Sequence, residues 1–97
     1  METKIKAIHF DISDKLVEFT NKKIDKLARR YDVIGDIAVN YTLVKPEAAR
    51  NKEAGVEVNV PNQGKLYASK TADSFEEALD LSLEALEHQL EKTKNVK

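Results

Sequence analysis

Residues 13–43 read SDKLVEFTNKKIDKLARRYDVIGDIAVNYTL, and the repeat of the apolar residues changes partway along. Leu16, Thr20, Ile24, Leu27 and Tyr31 recur at spacings of 4, 4, 3 and 4, which at about 100° per residue gathers them within one third of a helix circumference. Thr20 is the weak member. Ser13 is a natural N-cap with Asp14 favourably placed in the first turn, so the spacing predicts a helix over 14–30. The stretch from Asp32 to Gly35 breaks it, and then Ile37, Val39, Tyr41 and Leu43 take every second position of a strand. Upstream, Lys4 to Phe10 alternate loosely, as a first strand would.

Downstream, Lys45 to Gly55 (KPEAARNKEAG) has no clear period and reads as a mobile hairpin loop. Val56-Glu57-Val58-Asn59-Val60 alternates strictly, with three Val toward a core and Glu57 and Asn59 toward water. Pro61-Asn62-Gln63-Gly64 then makes a turn, and Lys65 to Thr71 return as a fourth strand, with Leu66 and Ala68 inward. Ser74-Phe75-Glu76-Glu77 is a capping box. It opens a second helix with the apolar stripe Phe75, Leu79, Leu83, Leu86 and Leu90.

The order is therefore β-α-β-β-β-α, an α+β fold whose four-stranded mixed sheet carries two parallel helices on one face. A right-handed crossover is expected between the first two strands. Small flanking residues are expected to meet between the helices, Val17, Asn21 and Ala28 against Ala78, Ser82, Ala85 and Gln89. That arrangement turns Glu76, Asp80, Glu84, Glu87 and Glu91 away from the first helix.

Ninety-seven residues suffice for one domain, expected over 1–97. No apolar run exceeds three residues, which predicts neither a membrane span nor a secretory leader and a cytoplasmic address. Without Cys, thiol nucleophiles, disulfides and Cys-containing zinc sites are excluded. His9 and His88 have no partner at metal or triad spacing, and Gly35, Gly55 and Gly64 are too scattered for a phosphate loop. No enzyme, cofactor or small-molecule substrate is expected.

The net charge of −1 conceals a segregation. Lys15 to Arg30 hold six cations and two acids, whereas Asp73 to Glu91 hold seven acids and no Lys or Arg. Lys15, Lys22, Lys26 and Arg29 form an outward stripe on the first helix, with Lys23 and Arg30 at its edge. A charge run is most often a solvated face, but cations gathered in this way suit phosphate. The acidic stripe reads as a solubility device, or as a face for a basic protein partner together with Leu81 and Ala85.

The chain resembles the ribosome hibernation-promoting factors, also called ribosome-associated inhibitor or sigma-modulation proteins. The resemblance rests on Ile8 to Leu16, Lys22 to Leu27, Val58 to Pro61, Leu66 to Ser69, Ser74 to Asp80 and Leu86 to Lys92, in order and spacing over nearly the whole length. It implies a domain similar in layout to double-stranded-RNA-binding domains. Such a domain would occupy the small ribosomal subunit's channel for messenger and transfer RNA and silence translation in stationary or starved cells.

Lys23, Lys26 and Arg29 match basic positions of the family's first helix, and Lys92 and Lys94 those of its second. Lys15, Lys22 and Arg30 are added from the stripe geometry. Family members commonly carry Lys or Arg where this chain has Ala85 and His88, so fewer phosphate contacts are expected from the second helix. The partner implied is ribosomal RNA of the small subunit, with the free protein a monomer. Because the sequence stops at Lys97, the extra domain by which long members pair two ribosomes is not expected.

Overall fold

The computed structural model describes residues 2–44 and 49–95, with side chains described as far as Lys92. The elements are β1 (Thr3–Ile8), α1 (Asp14–Arg30), β2 (Ile37–Leu43), β3 (Lys52–Val60), β4 (Gly64–Ala72) and α2 (Phe75–Asn95). The sheet order is β1-β2-β3-β4, with β1 parallel to β2 and the other pairs antiparallel.

Helix α1 starts where its cap dictates. Ser13 Oγ accepts the Leu16 N–H at 3.1 Å, which satisfies one of the helix's orphan donors. All five stripe residues are buried. Thr20 belongs there because its hydroxyl is fully used: Oγ1 donates to Leu16 O at 2.7 Å and sits 2.5 Å from the Tyr41 hydroxyl. A threonine has one proton to give, so Tyr41 donates to Thr20. This relay ties β2 to α1 through the core.

In α2 the forward half of the capping box is made, Glu77 N–H donating to Ser74 Oγ at 3.1 Å. The stripe from Phe75 to Leu90 is buried, with Leu79 and Leu86 fully so. Ala78 and Ser82 are also fully buried. They let α2 come close to the sheet, and Ser82 Oγ donates to Ala54 O on β3 at 2.7 Å.

The first strand ends at Ile8 rather than Phe10, because His9 adopts φ 70° and turns the chain. The turn delivers the Phe10 ring onto Phe75, stacked at 4.4 Å. The third strand begins at Lys52, so residues 52–55 of the expected loop are paired, while 45–48 lie outside the described residues. Ala54 and Gly55 carry little strand signal, yet at both positions the small residue leaves room for a neighbour. Ala54 is wholly buried and receives Ser82. At Gly55 a Cβ would stand only 3.2 Å from the Tyr67 ring carbon that bears the hydroxyl. The fourth strand is one residue longer at each end than expected.

Candidate nucleic-acid interface

The helix flanks are arranged in the reverse of the expected sense. Lys23 Nζ lies 3.1 Å from Asp80 Oδ1, and Arg30 Nη1 lies 3.8 Å from Glu87 Oε2. Tyr31 donates its hydroxyl to Glu91 Oε2 at 2.6 Å. Both ion pairs join residues 57 apart in sequence, the signature of two helices running parallel and in step. The acidic flank of α2 therefore faces α1.

The opposite flank of α2 meets β4, where Gln89 Nε2 donates to Tyr67 O at 3.0 Å. Small residues do not meet between the helices. Val17, Asn21 and Ala28 lie on the far flank of α1, since at about 100° per residue they fall on the other side of its buried stripe from Lys23 and Arg30.

This order of flanks fixes the hand of the first crossover. Both helices run antiparallel to β1, and in a right-handed helix seen from outside with its N-terminus up, the flank of Lys23 and Arg30 lies to the left. With α2 on that side, β2 lies to the left of β1, and the β1-α1-β2 connection is left-handed. The usual preference for the other hand is a statistical one. Here the contacts record the less common hand: a right-handed crossover would place Lys23 and Arg30 at an outer edge and Gln89 away from β4.

A cleft of about 550 Å³ runs between the helices, lined on one side by Lys23, Lys26, Leu27, Arg29 and Arg30 and on the other by Asp80, Leu83, Glu84 and Glu87. Lys23 also lies over the Phe19 ring at 5.3 Å, and Arg30 over Tyr31 at 5.7 Å. Hydrogen bonding to Glu91, then burial, raises the Tyr31 pKa. Deeper in, Tyr41 is pushed up to about 12, chiefly by burial and further by Glu76 and Asp80.

Among the described residues, Lys15, Lys22, Lys26 and Arg29 make no ion pair, and all four are exposed. They form the outward ridge. Lys23 and Arg30, at its inner edge, are tied to carboxylates. Lys92 is exposed on α2, and the side chain of Lys94 lies outside the described residues. The outward side of α2 otherwise carries half-buried Leu81 and Ala85 and exposed His88, so the ridge is a property of α1.

The negative charge is thus not at a remote edge but at the seam beside the ridge. Asp80, Glu87 and Glu91 are engaged with α1 and do not offer a free acidic face to a partner. What the sequence reading missed is this seam. Opposite charges at one constant offset on two helices expected to be parallel were its available signal.

Among the described residues no cluster of His, Asp or Glu is placed to hold a metal ion. Neither cleft described is lined by His9 or His88. No described helix is long and apolar enough to cross a membrane.

Residues 3–97 match the family described as Sigma 54 modulation protein / S30EA ribosomal protein. A comparison with curated proteins gave no match. Among solved structures, the fold is similar to that of a ribosomal subunit interface protein from Coxiella burnetii, with a TM-score of 0.87 and 27% identity over 99% of this chain and 100% of the other. It is also similar to the Protein Y N-terminal domain of Thermus thermophilus, with a TM-score of 0.78 and 20% identity over 96% and 99% of the two chains. The second likeness is one of fold.

Proposed function

This chain belongs to the family described as Sigma 54 modulation protein / S30EA ribosomal protein, and from that membership we propose that it binds the ribosome and lays the outward ridge of α1 on RNA of the small subunit. The reading is of a translation inhibitor that acts by occupancy in stationary or starved cells, filling the channel for messenger and transfer RNA without chemistry of its own. Residues 1–97 would act as one cytoplasmic, monomeric unit.

The observation that carries this reading is the set of four exposed cations, Lys15, Lys22, Lys26 and Arg29, aligned on one helix with no carboxylate partner. Each can meet a phosphate and release a condensed counterion. Lys92 adds a cation from α2. Lys23 and Arg30 join only by leaving Asp80 and Glu87. The description of the Coxiella burnetii relative as a ribosomal subunit interface protein supports the same partner.

Co-sedimentation with isolated small and large subunits tests it. The expected result is binding to the small subunit at low salt, lost as salt rises and lost in K22E/K26E/R29E. Absence of binding at low salt, or binding unchanged in that variant, overturns the reading.

A further inference from the structure

Four cations of α1 line the cleft toward α2, and two of them, Lys23 and Arg30, meet a carboxylate across it. The Lys23–Asp80 pair spans 3.1 Å and the Arg30–Glu87 pair 3.8 Å, with side-chain exposures of 36% and 50% in the first and 67% and 35% in the second. Pairs this exposed contribute little to folding. Their consequence lies in competition, because the carboxylates stand against the same ammonium and guanidinium groups that a phosphate would take.

We propose that Asp80 and Glu87 act as tethered counterions, which withhold Lys23 and Arg30 from indiscriminate RNA binding; this deepens the proposed function above and rests on it for the identity of the ridge's ligand. RNA gains affinity for a basic surface largely by exchanging cations condensed on its phosphates for protein charge. A lysine already neutralised by a carboxylate on the same chain gives no such gain, since binding it to phosphate uncovers a negative charge at the seam. Generic RNA therefore engages the outward ridge alone. Lys23 and Arg30 are added only by a ligand whose fixed phosphates reach into the cleft between the helices and compensate the loss of both pairs. Asp80 and Glu87 thus act as selectivity residues for the shape of the bound RNA.

The test uses the full chain and a polyadenylate–polyuridylate duplex as generic RNA. For D80N/E87Q, log affinity against log salt steepens by about 1.4–1.8 units, two added contacts at roughly 0.7–0.9 each, and affinity at low salt rises. The control is E53Q/E57Q, which makes the same change in net charge on the sheet face no helix covers and frees Lys65 from its 3.7 Å pair with Glu57. Its slope stays near that of the unaltered chain. An unchanged slope in D80N/E87Q, or an equal steepening in the control, overturns the proposal. The single variants D80N and E87Q each give about half the effect, which decides the matter should the double variant fold poorly.

Small subunits are titrated in parallel. Failure of the unaltered chain to bind them removes the function proposed above, while the duplex slopes still decide the role of the ion pairs.

Discussion

Lys22 and Lys23 are neighbours in sequence and differ in what surrounds them. Lys22 stands on the ridge of α1, exposed and without an ion-pair partner, whereas Lys23 turns one helical step toward α2 and meets Asp80. The same contrast separates Arg29 from Arg30, which meets Glu87. A rotation of about 100° around one helix decides whether a cation is available to phosphate or already answered. Charge counted along the sequence cannot make that distinction, and charge resolved by helix face can.

Both regions stand on one core, and the contrast breaks first if that core is opened. Leu86 is fully buried beneath α2, so Leu86→Ala should lower stability by about 2–5 kcal/mol and loosen ridge and seam together, as read by chemical denaturation.

The contrast itself is sharpened by alanine replacements on the two faces. K22A/K26A/R29A should flatten the salt dependence of small-subunit binding by about 2–3 units, at roughly 0.7–0.9 per contact. K23A/R30A should flatten the salt dependence for generic duplex RNA by less than one such contact, because those cations are withheld. Equal losses in the two variants would erase the distinction between the faces.

A smaller effect is expected at the relay joining β2 to α1. Tyr41→Phe removes the donor to Thr20 and should cost about 1 kcal/mol. Tyr41 stays neutral in the fold to about 12, while an unfolded phenol ionises near 10. The unfolded chain is thus favoured as pH rises through that window. The stability from this shift is complete below about pH 10 and fades toward 12, and Tyr41→Phe should lose less across that range. Denaturant midpoints between pH 9 and 12 read both results. The smallest effect belongs to the seam: a double-mutant cycle on Lys23 and Asp80 should return about 0.2–1 kcal/mol.

Much of this fold was legible in residue spacing. The α1 stripe, its Ser13 cap, the alternation of β2 and the leucines of α2 were readable because each element is locally consistent with its burial. Lys52 to Gly55 were not, since Ala54 and Gly55 are small for reasons that reside elsewhere, in Ser82 and Tyr67. His9 left no mark either, because an αL turn at a residue with a side chain is held by a contact distant in sequence, the stacking of Phe10 on Phe75. The ridge of Lys15, Lys22, Lys26 and Arg29 followed from helix geometry alone. The seam did not, because its position depends on the hand of the β1-α1-β2 connection, and the rule for that hand pointed the wrong way. Lys23–Asp80 and Arg30–Glu87, two opposite charges at one offset, outweigh such a rule.

The claim beneath all of this is that one face of α1 meets RNA. Lysine acetylation with acetic anhydride, quantified by mass spectrometry on the free chain and on the chain bound to small subunits, tests it most directly. Protection of Lys15, Lys22 and Lys26 on binding, with Lys4 and Lys6 on β1 unchanged, is the predicted result. Ridge lysines that label as fast in the complex as in the free chain, with protection moved to Lys4 and Lys6, would contradict it.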